Sequence, residues 1–157
     1  MPHLSDHFTL RELCRSQTAA RRGIDNTPAP DAVENLKKLC AYILEPIRKN
    51  FGVPYSPSSG YRSEALNTAI GGSVNPTSAH CRGMAADIDL PGVSNYDLAI
   101  WVRDNLRSAV DQLILECFDP EAGPNSGWVH VGIGDKPRGQ VLTYQRGKGY
   151  MNGLPGR

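Results

Sequence analysis

The stretch Ser78-Ala79-His80-Cys81-Arg82-Gly83-Met84-Ala85-Ala86-Asp87 lies near the middle of the chain and contains two residues of metal-ligating type. His80 and Asp87 are separated by a run of small residues with a glycine, so an imidazole and a carboxylate can reach the same divalent cation. Two ligands do not make a metal site by themselves. A third ligand, a proton acceptor and a group that binds substrate have to come from elsewhere in the chain.

Three short strands are predicted from the period-two alternation of apolar residues. They are Met84–Leu90, Gln112–Cys117 and Trp128–Ile133. In the first strand, Asp87 and Asp89 share the face opposite the apolar side chains. In the third strand, His130 points into a cleft if the valines on the other face pack into the core. Glu116 stands near the end of the second strand, either at its mouth or beside a partner.

His80, Asp87 and His130 offer two nitrogens and one oxygen, which suits a catalytic zinc ion with a fourth position left for water. Zinc polarises a carbonyl group and lowers the pKa of water, while a neighbouring carboxylate carries the proton. Asp89 is expected to orient one of the ligands by a hydrogen bond. The alternatives are structural. His130 could be hydrogen-bonded within the fold, Asp87 could accept from turn amides, and Glu116 could pair with an arginine.

Helices are predicted before and between these strands. Thr9 and Glu12 form a capping box at the start of a short helix. An amphipathic helix runs from Asp31, with a kink expected at Pro46 and an end at Gly52. Two more helices are predicted, from about Glu64 to Ile70 and from the cap Ser94 to about Leu106.

The segments between these elements complete an α+β pattern with a small central antiparallel sheet and helices packed on one side. Connectors or loops are predicted at 15–30, 71–78 and 119–126, an edge strand or extended segment at 53–59, a last strand at Val141–Tyr144 and a loose tail at 147–157. The 157 residues fit a single domain, 1–157, with a helical portion at about 8–52 and a catalytic core at about 53–145.

Composition narrows the classes of partner. The net charge is only +1, with 17 Lys and Arg against 16 Asp and Glu, which argues against nucleic acid. No apolar run approaches the roughly 20 residues of a membrane span. The four cysteines lie far apart without a Cys-x-x-Cys pair, so free, buried thiols and a reducing compartment are expected.

The spacing Ser78-x-His80-x-x-Gly83-x-Ala85-x-Asp87, followed by Trp128-Val129-His130-Val131, resembles the motif of the zinc D-alanyl-D-alanine carboxypeptidase family. That family shares its fold with lysostaphin-type peptidases and the Hedgehog signalling domain. The resemblance extends to Ser58-Ser59-Gly60-Tyr61-Arg62-Ser63 and to a short helical N-terminal portion like that of phage-type and bacterial members. It covers roughly residues 8 to 145.

The resemblance implies that three residues hold one zinc ion: His80, Asp87 and His130. It also implies that Arg62 polarises the scissile carbonyl or binds a substrate carboxylate, a task suited to its fixed fork of donors. Arg62 could instead be an ordinary surface ion-pair partner. Ser78 and Trp128 are expected to contact substrate, although Ser78 is explained equally well as a turn residue.

One position departs from the family pattern. Several branches carry the catalytic acid and base three residues before the second histidine, where this chain has Gly127. We therefore expect the role to pass to Glu116, whose strand is predicted to neighbour that of His130. Asp119 and Glu121 are the reserves, placed second because they lie in the loop.

The expected function is that of a zinc peptidase that cleaves stem peptides of bacterial peptidoglycan, as a D-Ala-D-Ala carboxypeptidase or an endolysin-type endopeptidase. The N-terminus lacks a basic region followed by an apolar stretch, so synthesis in the cytoplasm without a signal peptide and release through a phage pore are predicted, for a monomer. One alternative is a non-catalytic, zinc-containing module of the same fold that binds the wall or belongs to a virion. The other is a regulatory or structural protein without metal.

Overall fold

A computed structural model gives the structure of residues 2–74 and 77–156. The α-helices are α1 (Leu10–Cys14), α2 (Gln17–Arg22), α3 (Pro30–Leu39), α4 (Glu45–Phe51), α5 (Glu64–Ala69) and α6 (Asn95–Leu106). A π-helix at Cys40–Leu44 joins α3 to α4, and a 3-10 helix spans Ala79–Arg82. The strands are β1 (Ala85–Ile88), β2 (Gln112–Glu116), β3 (Trp128–Gly132), β4 (Gln140–Gln145) and β5 (Gly149–Asn152). The α+β class is confirmed.

Side-chain caps begin the two N-terminal helices. The capping box is confirmed, because the Thr9 side chain accepts from the Glu12 N–H and the Glu12 carboxylate accepts from the Thr9 N–H. The connector predicted at 15–30 is wrong in part, since it contains α2. Ser16 caps this helix by accepting from Ala19 N–H. Ala19 is the buried residue of α2, so the helix carries no apolar period that the sequence could reveal.

The long helix widens into a π-helix just before Pro46, where the sequence predicts a kink. Pro46 lacks the N–H that an α-helix needs at that position, and its ring crowds the preceding turn. The preceding turn is a π-helix, in which the Glu45 N–H donates to the Cys40 carbonyl. The Tyr55 hydroxyl donates to the Leu44 carbonyl at 2.9 Å. The predicted end is confirmed at Gly52, which adopts φ +67°.

The five strands form one sheet in the order β1-β3-β2-β4-β5. Three neighbouring pairs are antiparallel, but β2 and β4 are parallel, so the purely antiparallel sheet is wrong at this pair. After β3 the chain crosses the start of β2, where Gly139 N–H bonds Val110 O and Gln140 N–H bonds Asp111 O. It then runs beside β2 in the same direction.

One face of the sheet is buried and the other carries polar side chains. Leu113, Leu115, Val129 and Val131 are fully buried on the first face, against which α6 packs. The opposite face of the same strands carries the polar residues of the motifs. None of the helices in residues 2–74 and 77–156 is long and apolar enough to cross a membrane.

Up to residue 156 the tail is ordered, contrary to expectation. Strand β5 pairs with β4 in antiparallel fashion. The Thr143 hydroxyl donates to Gly153 O at 2.8 Å, and the Tyr96 hydroxyl donates to Pro155 O. The Gly-rich composition suggested a loose end, but these contacts use only the backbone groups of the tail residues, which glycine also has.

The four cysteines are free thiols, and only Cys40 among them is buried; the other three are partly exposed. Burial raises the pKa of Cys40 to about 12 and that of Cys14 to about 11. Both thiols are therefore neutral and unreactive near neutral pH.

Candidate metal centre

Strands β1 and β3 bring the first two candidate ligands together. Asp87 lies directly opposite His130 in the antiparallel register, so both side chains leave the same face of the sheet. His130 Nδ1 lies 3.1 Å from Asp87 Oδ1. Asp87 is also held from its other side, where Ser58 N–H bonds Asp87 O and Asp87 N–H bonds Ser59 O. The backbone that presents this carboxylate is thus paired at both edges.

His80 reaches the same point from the 3-10 helix. Ser78 caps that helix by accepting from the His80 N–H. Gly83 ends it at φ +72°, where a Cβ atom would lie 2.4 Å from Ala32 O, so the sharp exit requires glycine. His80 Nδ1 lies 2.7 Å from Gly60 O, to which it donates, and Nε2 faces Asp87 Oδ1 at 3.5 Å.

These three side chains form a group that could hold a metal ion. One atom from each of them lies within 4.8 Å of the other two, and the site lies in the part of the chain that the structure describes. Zinc bonds of about 2.0–2.2 Å at tetrahedral angles need ligand atoms about 3.4 Å apart. The two distances to Asp87 already match this spacing. The donor set and its geometry therefore fit zinc.

The protonation of the group also fits a cation. Burial by itself would raise the pKa of Asp87, but the hydrogen bonds and charges of His130 and His80 lower it well below its usual range. The carboxylate is therefore ionised at neutral pH. The hydrogen bond to Gly60 O fixes the proton of His80 on Nδ1 and leaves Nε2 as the lone-pair donor.

Arg62 lies beside this group with an incompletely used guanidinium. Its Nη1 is 3.4 Å from the Ser59 hydroxyl and its Nη2 is 3.3 Å from the Ser78 hydroxyl, both long contacts. Its Nε is buried and has no hydrogen-bond partner within the described residues. An oxygen acceptor from a ligand would satisfy these donors.

Glu116 lies on the same face of the sheet as His130. It is opposite Trp128 in the register, one strand away from the histidine. Its pKa is raised, first by burial and also by the charge of Asp87, against the opposing effect of His130. A carboxylate with a raised pKa near a metal site suits proton transfer near neutral pH.

These residues line one cleft of about 480 Å³. Ligand candidates, Arg62, Glu116, Ser78 and Trp128 all contribute to its wall. The remaining lining is mostly polar, with hydroxyls at Ser73 and Thr77. The cleft thus joins a metal-binding group, a guanidinium and a carboxylate in one space.

Comparison with known families agrees with this arrangement. The family model described as Peptidase M15 matches residues 6–119, which is well over half of the chain. The chain belongs to peptidase family M15. The match covers Arg62, His80, Asp87 and Glu116, whereas Trp128 and His130 lie beyond it and are joined to the site by the sheet. Curated proteins gave no match.

M15 peptidases are zinc-dependent, which agrees with the donor set described above. The departure at Gly127 has a structural explanation. Gly127 adopts φ +70°, and a Cβ atom there would lie 1.9 Å from the carbonyl oxygen of Glu116. A glutamate cannot occupy residue 127 in this backbone. The strand end whose carbonyl excludes it carries Glu116, which lines the cleft.

Two other expectations about acidic residues fare differently. The role predicted for Asp89 is wrong, because Asp89 follows the end of β1, is exposed and makes no hydrogen bond to either histidine. Asp119 and Glu121 line a separate cavity, and Asp119 Oδ1 accepts from the Glu121 N–H. Neither of them lines the metal cleft, which leaves Glu116 as its one glutamate.

The partner that actually orients His80 is the carbonyl of Gly60, which sequence reasoning missed. A Cβ atom at Gly60 would lie 2.3 Å from Leu13 O, so only glycine lets the two backbones approach. The Tyr61 N–H donates to that same Leu13 carbonyl at 2.7 Å. A glycine inside an extended segment often marks such a close approach and was the available signal.

Proposed function

We propose that the protein is a zinc metallopeptidase that hydrolyses peptide bonds in the stem peptides of bacterial peptidoglycan. Membership of family M15 supports the peptidase activity. The observation that carries the metal assignment is the convergence of His80, Asp87 and His130 on one point. We propose zinc as the ion and these residues as its ligands.

A bound zinc ion supplies a Lewis acid that polarises a carbonyl group and lowers the pKa of water. Glu116, whose pKa burial raises, accepts a proton from water and returns it to the leaving amine. Arg62 donates hydrogen bonds to the oxygen on which negative charge develops. Its donors are available for this because their contacts within the protein are long.

The groups around the ligands support positioning roles. Gly60 O keeps the imidazole of His80 in one tautomer and one orientation. Ser78 accepts from Arg62 Nη2 while it caps the 3-10 helix, so it sets the place of the guanidinium as well as that of His80. Trp128 lies opposite Glu116 on the neighbouring strand, where we propose that it contacts the substrate peptide.

The test is mass spectrometry of purified wall fragments after digestion. Zinc-loaded wild type should release fragments that chelator abolishes, and the masses distinguish loss of a terminal D-alanine from an internal cut. Glu116→Gln should reduce turnover by about 10²–10⁴-fold while zinc remains bound. Glu121→Gln, which removes an exposed carboxylate outside the cleft, is the matched control and should retain activity.

A second function remains open for the same fold, namely a zinc-containing module that binds the wall without cutting it. Gly127 at the position of the usual base is the observation that favours it. Sedimentation of the protein with walls that release no fragments under any metal condition would support this reading. Full activity of Glu116→Gln would instead show that Glu116 is not the base, while the assignment as a peptidase would stand.

A further inference from the structure

A second cavity of about 600 Å³ shares Arg62 with the cleft that His80, Asp87 and His130 line. We call it the arginine trough. Arg15, Arg21 and Arg62 line it together with the hydroxyl groups of Ser58 and Ser59, and no carboxylate lines it. The trough therefore concentrates positive charge and hydrogen-bond donors.

The charge in the trough is not balanced within the protein. Arg103 and Arg138 each meet an aspartate, at 2.8 Å and 3.0 Å respectively. The side chains of Arg15 and Arg21 are exposed and form no ion pair or hydrogen bond with any residue in 2–74 and 77–156. Their positive charges are thus free to act on a ligand.

Acidic residues near the trough do not change this balance. The pKa of Tyr61, which lines the trough, is raised mainly by burial and to a smaller extent by the neighbouring charges of Asp25 and Glu64. Neither of these carboxylates lines the cavity. The charged side chains that line the space are therefore those of the arginines.

Arg62 joins the trough to the metal cleft, since it lines both. Its Nη1 is directed at Ser59, which lines the trough, and its Nη2 at Ser78, which lines the cleft. Its buried Nε is unpaired. Arg62 is therefore the residue that the two cavities have in common in their walls.

We propose that the arginine trough binds a carboxylate-bearing segment of the peptide whose scissile bond lies at the metal group. This inference rests on the proposed function and adds the charge of the substrate to it. Arginine presents a planar fork of donors that matches a carboxylate, and such charge-assisted bonds are about twice as strong as neutral ones. Because Arg15 and Arg21 are exposed, added salt should weaken their effect.

The experiment uses two peptides that differ by one charge: L-Ala-γ-D-Glu-L-Lys-D-Ala-D-Ala and the same peptide with the free α-carboxylate of its glutamyl residue replaced by a carboxamide. Hydrolysis by zinc-loaded protein gives kcat and KM, and calorimetry on metal-free protein gives affinity without turnover. The acidic peptide should bind and react about 5- to 20-fold better, mainly through KM. The double variant Arg15→Gln/Arg21→Gln should lose this preference with kcat unchanged.

Arg11→Gln is the matched control, because it removes one exposed arginine of α1 that does not line the trough. It should keep the preference for the acidic peptide. Hydrolysis of both peptides at equal efficiency, or equal affinity of the wild type for both, overturns the trough assignment but leaves the peptidase intact. Charge-dependent binding without hydrolysis overturns the proposed function and leaves the trough. Binding of neither peptide overturns the inference.

Discussion

Replacing Gly127 by alanine tests the backbone arrangement that gives Glu116 its place. At φ +70° an alanine costs about 1–2 kcal/mol, because Cβ crowds its own carbonyl in the left-handed region. The new Cβ would also lie 1.9 Å from Glu116 O and 3.0 Å from the carbonyl carbon and oxygen of Cys117. All three are backbone atoms, which cannot rotate away. Forcing such a contact adds about 1–3 kcal/mol.

The sum is a loss of about 2–5 kcal/mol in the free energy of unfolding. For a chain of this size each kcal/mol lowers Tm by about 2–4 °C, so we expect a fall of roughly 4–20 °C. Thermal unfolding followed by circular dichroism measures it. Peptidase activity should fall as well at temperatures where the variant is folded, since the collision displaces the strand end that carries Glu116.

Gly147→Ala is the matched control. Gly147 adopts φ +79°, but nothing lies within 4 Å of its Cβ position. It should show the conformational cost alone, about 1–2 kcal/mol. Equal losses of stability in the two variants would refute the collision at Gly127 and, with it, the reason given for the shifted base.

Three further predictions concern metal, pH and the N-terminal cap. Zinc at about 100 times its Kd should stabilise the protein by about 2.7 kcal/mol in thermal unfolding, and chelator should reverse this stabilisation. His80→Ala should abolish the stabilisation by zinc. An undiminished shift in that variant would contradict the ligand set. The folded-state pKa of Cys40 is raised from 9.0 to about 12, so above pH 9 the unfolded chain releases a proton that the native state keeps, and stability falls as pH rises. Denaturant unfolding should show that this thiol lowers the free energy of unfolding by about 1.4 kcal/mol at pH 10 relative to pH 8. Cys40→Ala should lack this part of the loss. An identical loss in that variant would disprove the contribution of Cys40. Thr9→Ala removes the cap of α1 and should cost about 1 kcal/mol in the same assay, whereas Thr68→Ala, an exposed substitution in α5, should cost less.

The metal group could be predicted because its signals are local or periodic. Asp87 and His130 occupy strands whose alternation fixes the face of each side chain, and the register then places them opposite each other. The same alternation gave a wrong prediction for Asp89, because β1 ends at Ile88 and the alternation of faces ends with the strand. A pattern of period two indicates a face only while the strand lasts.

Pairing direction and close backbone approach could not be predicted in the same way. Alternation is identical in parallel and antiparallel strands, so nothing in Val141–Tyr144 indicated that β4 runs parallel to β2. The hydrogen bond from His80 to Gly60 O uses a main-chain acceptor that every residue possesses. Such partners become visible only once the fold is known.

The close contact between Gly60 and Leu13 links the N-terminal helices to the candidate metal centre. Asn26 strengthens this link, because its side-chain amide donates to Cys14 O and Tyr61 O while its Oδ1 accepts from Ser63 N–H. The end of α1 therefore holds the segment whose carbonyl orients the imidazole of His80. Dividing the chain near residue 52 would therefore split one structural unit rather than separate two independent domains. Chimeras that exchange the helices among relatives should be judged by their affinity for zinc before their stability.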